Sequence, residues 1–230
     1  FKVQLYTGTG SSNAQTFADT DTDMQPDLVW IKSRSDAFNH MLYDSVRGVQ
    51  KHLKPDGTNA EATDANSLTA FGSDGFTVGS NSDINNSSDT YVAWCWKESV
   101  TAGFDMISYT GNESVRTIAH SLSAVPNLVI IKCRSDARSW VVTNTAKGFT
   151  GRAFLDATDA WSTNTGEFND TAPTSSVFTV GGDHRTNKNS ETYIAYFWKD
   201  VQGFSKVSGS YTGNGNADGP FVWTNGMRPA

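Results

Sequence analysis

Six apolar or aromatic residues in a row open Tyr91-Val92-Ala93-Trp94-Cys95-Trp96-Lys97, and with period two they divide between two sides. Val92, Trp94 and Trp96 fall on one side, Tyr91, Ala93 and Cys95 on the other. Both sides are apolar or aromatic, and Ser/Asp/Asn clusters flank the run, which predicts a central strand buried on two faces rather than a helix. The run returns as Tyr193-Ile194-Ala195-Tyr196-Phe197-Trp198-Lys199. Each copy closes a block of about a hundred residues, so the chain reads as a tandem repeat.

Further runs match between the blocks. Phe1 to Tyr6-Thr7-Gly8 corresponds to Phe104 to Tyr109-Thr110-Gly111, each an alternating strand ending in glycine. Pro26-Asp27-Leu28-Val29-Trp30-Ile31-Lys32-Ser33-Arg34-Ser35-Asp36 corresponds to Pro126-Asn127-Leu128-Val129-Ile130-Ile131-Lys132-Cys133-Arg134-Ser135-Asp136. A proline at the head of a strand costs no ladder bond. Met41-Leu42-Tyr43-Asp44 corresponds to Val141-Val142-Thr143-Asn144, and Phe76-Thr77-Val78-Gly79 to Phe178-Thr179-Val180-Gly181. Leu53 and Phe154 mark a further strand, whereas 55–66 and 156–175 read as loops. The pattern predicts an all-β chain with one β-sandwich repeat over 1–98, a second over 104–199, and the incomplete start of a third over 204–230. Joints of four to six residues predict an elongated string of sandwiches with limited freedom between them.

The matched motifs Tyr-Thr-Gly, Pro-x-Leu-Val-x-Ile-Lys-x-Arg-Ser-Asp, Phe-Thr-Val-Gly and Tyr-(Val/Ile)-Ala-x-x-Trp-Lys resemble a repeat domain of unknown function. That domain occurs in structural proteins of tailed, mostly aquatic bacteriophages. The resemblance implies a tail-fibre or other surface-appendage protein on the virion exterior. It also implies a jelly-roll or lectin-like sandwich and contacts with other virion proteins or a host surface glycan. The second block departs from the first at Thr143-Asn144, so a role of the Tyr43-Asp44 pair is not shared by both copies.

Charge changes the picture mainly by exclusion. The formal net charge is −6. Residues 1–103 hold seven Lys/Arg against thirteen Asp/Glu, and residues 104–203 nine against ten. Such a surface lacks the basic patches that displace counterions from phosphate, so no nucleic-acid partner is expected. No apolar run is long enough for membrane insertion. Cys95 and Cys133 occupy different positions in the repeat, which predicts two free buried thiols. A strand edge left by an incomplete sandwich invites pairing with another chain, so a homo-oligomer is expected.

Candidate chemistry is sparse. Asp19, Asp21 and Asp23 alternate in a loop, as an oxygen-preferring cation such as calcium requires, but the run lacks the glycine and distal Glu of an EF-hand. It reads either as a calcium loop of the first block or as a solvated acidic loop. Glycan hydrolysis needs two facing carboxyl groups, yet Glu61, Glu98, Glu113, Glu167 and Glu191 share no position between blocks. The four histidines form no metal or nucleophile motif, so a non-enzymatic protein is expected. Trp30, Trp94, Trp96 and Trp198 read as core, while Trp140, Trp161 and Trp223 lie beside polar residues. Among these, Trp161 is the candidate ligand contact, for a sugar or a partner, with a packed loop anchor as the alternative.

Overall fold

The computed structural model describes residues 1–18, 22–224 and 226–227, whose regular elements are mostly β-strands with a few helical turns. In the first half the strands are β1 (Lys2–Thr7), β2 (Asn13–Thr16), β3 (Leu28–Ser33), β4 (Met41–Asp44), β5 (Lys51–His52), β6 (Ala62–Thr63), β7 (Leu68–Gly72), β8 (Gly75–Val78) and β9 (Thr90–Trp96). The helix α1 (Ser82–Asn85) precedes β9. In the second half they are β10 (Phe104–Thr110), β11 (Arg116–Ala119), β12 (Leu128–Cys133), β13 (Val141–Asn144), β14 (Gly151–Phe154), β15 (Ser162–Thr163), β16 (Val177–Val180) and β17 (Thr192–Trp198). The helices there are α2 (Thr165–Phe168) and α3 (His184–Asn187).

The large sheet of the first half runs β1-β9-β3-β4, and that of the second runs β10-β17-β12-β13 before continuing into β14 and β15. Opposite them lie β2-β8-β7 and β11-β16. The first half has a hairpin, β7 to β8, where the second has a turn of helix, α2, ahead of β16.

Each half has its own core. Val29, Ile31, Tyr91, Ala93 and Cys95 pack with Leu68, Phe76 and Val78. Val129, Ile131, Tyr193, Ala195 and Phe197 pack with Phe178 and Val180. A third cluster joins the halves: Leu28, Leu42 and Leu53 meet Phe104, Met106, Ile130, Trp140, Ile194 and Tyr196. The central strands are apolar on both faces for this reason. Tyr193, Ala195 and Phe197 fill the core of their own half, while Ile194 and Tyr196 fill the seam.

The halves therefore pack sheet against sheet and do not form the elongated string that the short joints predict. The joint is a tight turn. Gly103 has φ +72°, its N–H donates to the Ser99 carbonyl, and Ser99 N–H donates to Phe104 O, which reverses the chain and lays the second sheet on the first. Two apolar faces exposed along a string would forgo about 25 cal/mol for each Å² that the seam removes from water.

Repeated motifs earn their place through one device. Tyr6 stacks on Tyr91 with ring centroids 5.1 Å apart, and Tyr109 on Tyr193 at 5.2 Å. The Tyr6 and Tyr109 hydroxyls donate to the carbonyls of Ile84 and Thr186, and those of Tyr91 and Tyr193 to Ser82 and His184, so the short helices are tied to the sheets. The glycine of each Tyr-Thr-Gly sits against backbone: a Cβ at Gly8 would collide with Asn86 O, and one at Gly111 with Lys188 O. The run from Phe204 to Gly213 resembles β1 and β10 in sequence, yet forms no strand beyond a bridge of Ser205 with Val201. Strands β1 and β10 each pair with a closing strand, β9 or β17, and no third closing run occurs in these 230 residues to pair with this one.

Candidate functional site

A buried polar cluster lies in the seam. Asp44 ends β4 and is buried together with Arg47, whose Nε stands 2.5 Å from Asp44 Oδ2. Arg47 N–H donates to Asp44 Oδ1 at 2.8 Å, so the carboxylate also caps a local turn. From the second half, the Tyr196 hydroxyl donates to Asp44 Oδ2 at 2.6 Å. Arg47 reaches on to the Leu42 carbonyl at 2.9 Å and to Glu61 Oε2 at 3.4 Å. Glu61 accepts Nε and Nη2 of Arg134 at 2.9 and 3.0 Å. Charges thus alternate across the boundary, and each buried ion has a partner of opposite sign.

Burial and the Asp44 carboxylate push the Tyr196 phenol well above its ordinary value, so it stays a donor. Burial works against ionisation of Glu61, but Arg134 and Arg47 outweigh it and hold the carboxyl below the usual range. Beside this network Trp140 is fully buried. Its indole N–H donates to the carbonyls of Lys54 at 2.9 Å and Gly57 at 3.2 Å, and its ring stacks on Tyr196 at 6.4 Å. Lys132 donates to Thr58 O at 3.1 Å and Arg138 O at 2.8 Å, and burial brings its ammonium pKa down to about 8. In the sequence Trp140 stands beside polar residues, as Trp161 and Trp223 do, whereas its hydrogen-bond partners lie more than eighty residues away in the other half.

Other acids are buried outside the seam. Asp105 is buried at the joint, accepting Ser121 N–H at 2.6 Å and the Ser121 hydroxyl at 3.0 Å. Burial, then a hydrogen bond with Asp105 and the nearby charges of Asp105 and Asp27, raises the Glu98 carboxyl to about 7. Glu167 is enclosed with Arg152 Nε at 2.7 Å, a close contact poorly aligned for a hydrogen bond. Burial, with Asp183 adding to it, raises its carboxyl to about 6.

Of the acidic loop, Asp19 and Asp21 lie outside the described residues, and Asp23 is exposed beside a cavity of about 650 Å³. Among the described residues no three His, Cys, Asp or Glu side chains are grouped to hold a metal ion. Trp161 is half-buried just before β15. Cys95 and Cys133 are free and buried. Trp30, Trp96 and Trp198, read from sequence as core, are only half-buried: with Phe1 and Phe204 they wall a second cavity of about 440 Å³ at the end of the seam. Glu98, Asp105 and Glu167 line neither cavity. Among the described residues no helix is long and apolar enough to cross a membrane.

The chain belongs to the family described as a domain of unknown function (DUF7483), whose model matches residues 1–230, both halves and the tail together. No curated protein and no solved structure matches it.

Proposed function

We propose that this chain is a non-enzymatic structural protein of a bacteriophage virion, of tail-fibre or surface-appendage type. Its two halves are jelly-roll, lectin-like β-sandwich repeats. They sit on the exterior of the particle and touch other virion proteins or a host surface glycan, as part of a homo-oligomer. The observation that carries this reading is the seam. The constellation Tyr196-Asp44-Arg47-Glu61-Arg134 fixes one half to the other, which is what a rigid scaffold needs. An active site would instead direct titratable groups into a cleft. The sequence resemblance supplies the viral setting. Immunogold labelling of intact particles with antibody to this chain tests it: label is expected on the outer surface, and particles free of label overturn it.

A second reading, a carbohydrate-binding module, is favoured by the cavity walled by Trp30, Trp96 and Trp198, since indole faces stack on sugar rings. A glycan array read with Trp96→Ala as control separates the two. Release of reducing ends from a host polysaccharide would point to a depolymerase in place of both.

A further inference from the structure

The second half covers the first large sheet unevenly. On the seam-facing side, the register places Val3, Trp94, Trp30 and Leu42 in one row across β1, β9, β3 and β4, and Leu5, Val92 and Lys32 in the next. Leu42 is buried and Trp30 and Trp94 are half-buried, while Val3 is 46% and Leu5 58% exposed. The same rows of the second sheet hold Met106 where the first has Val3, and Ser108 where it has Leu5. Met106 is buried. Ser108 is exposed, and its hydroxyl donates to Tyr193 O and accepts from Arg134. Where the second sheet meets water it is polar, and where the first does so it keeps valine and leucine.

Strand β1 also ends its sheet, and among the described residues no strand pairs with its outer edge. It is six residues long, free of proline, and in unbroken register with β9. Such an edge is a template for another strand.

We propose that β1 pairs antiparallel with β1 of a second copy of this chain about a two-fold axis. Gln4 then faces the partner's Gln4 and Val3 faces the partner's Leu5. Two arguments favour a second copy over an unrelated strand. The exposed strip continues the apolar layer that the halves already share through Leu28, Leu42, Trp30 and Trp96, so a joined sheet extends an existing interface. The strand is also self-complementary in this register, because the two-fold sets valine against leucine on both sides of the axis and sets Lys2 against the partner's Tyr6. Lys2 adds no repulsion there, since its ammonium turns into its own half, 2.7 Å from Thr22 O and 3.6 Å from Asp74.

The inference deepens the structural role proposed above and rests on it, but its test reads solution mass, which can fail or succeed independently of particle labelling. Sedimentation velocity of the 230-residue chain across a concentration series is expected to show a dimer. Leu5→Lys, at an exposed position, is expected to weaken it at least tenfold with an unchanged circular-dichroism melt. Gln4→Cys under mild oxidation is expected to give a covalent dimer that the parent, with both thiols buried, does not. A chain monomeric at every concentration overturns the proposal. So does a dimer indifferent to Leu5→Lys whose Gln4→Cys form fails to cross-link. Should Leu5→Lys fail to fold, the Gln4→Cys cross-link decides alone.

Discussion

At the end of its fourth strand the first half carries a carboxylate, Asp44, and at the matching place the second half carries an amide, Asn144. Both side chains do the same local work, accepting the backbone N–H three residues on, from Arg47 at 2.8 Å and from Lys147 at 3.1 Å. Only Asp44 does more, because Tyr196 lies above it from the other half. Its counterpart across the repeat, Trp94, instead stands edge-on to Trp30 at 6.4 Å. The joints differ in the same way. Glu98 faces a second carboxyl, Asp105, whereas Asp200 at the equivalent place is met by Lys206 Nζ and the Ser208 hydroxyl. A repeat preserves what each half needs for itself. The Tyr196–Asp44 contact draws one residue from each half, and neither residue recurs at the matching position of the other copy, because a seam between two bodies has two different sides.

The largest effect should come from removing one ion of the seam. Asp44→Ala strands a buried Arg47 and leaves the Tyr196 hydroxyl without its acceptor, for a loss of about 3–5 kcal/mol. Asn144→Ala removes only a turn cap and should cost about 1 kcal/mol. Chemical denaturation of both variants checks this, and equal losses would erase the asymmetry between the halves.

Trp140→Ala is next, with about 3–5 kcal/mol for a fully buried indole. Trp96→Ala, at a half-exposed cavity wall, should cost about 1–2 kcal/mol. Calorimetry should show the parent melting in one transition, since the third cluster belongs to both halves. Two separate transitions would mean that the seam is not cooperative.

The smallest effect is a difference in sign at the joints. Glu98 is raised in the folded protein to about 7. Its protonated form is favoured by folding, so its contribution is complete below the unfolded carboxylate range and fades as pH rises through about 7. For Asp200, burial works to raise the pKa, but Lys206, Ser208 and backbone N–H donors outweigh it and hold the carboxyl below the usual range. Its contribution is present above that range and is lost as pH falls through the depressed value. Glu98→Gln should flatten the fall in melting temperature from pH 5 to pH 8, and Asp200→Asn should act only in acid. A Glu98→Gln profile parallel to that of the parent would remove the raised Glu98 carboxyl from the account of the first joint.

Local pattern was enough to read the strands: β1, β3, β4, β8 and β9 and their counterparts coincide with the apolar runs, because side-chain alternation is a property of the strand itself. The doubly apolar character of β9 and β17 was equally legible, since it needs only the residues in order. The identity of the second covering layer was not. Nothing along the chain says that the seam-facing side of one half is buried by the other, because that contact depends on a turn at Gly103 and on offsets between two sheets. For the same reason Trp140, beside Ser139 and Arg138 in sequence, could not be told from a surface tryptophan, while Trp96 and Trp198 looked like core and wall a cavity. The sequence by itself determined which residues alternate and where the matched strands run, whereas the stretches 55–66 and 156–175, read as loops, hold β6, β15 and α2. Only the tertiary structure decided which of two apolar faces meets which, since hydrophobic burial is non-directional and fixes partners through shape and the few polar groups that must be paired.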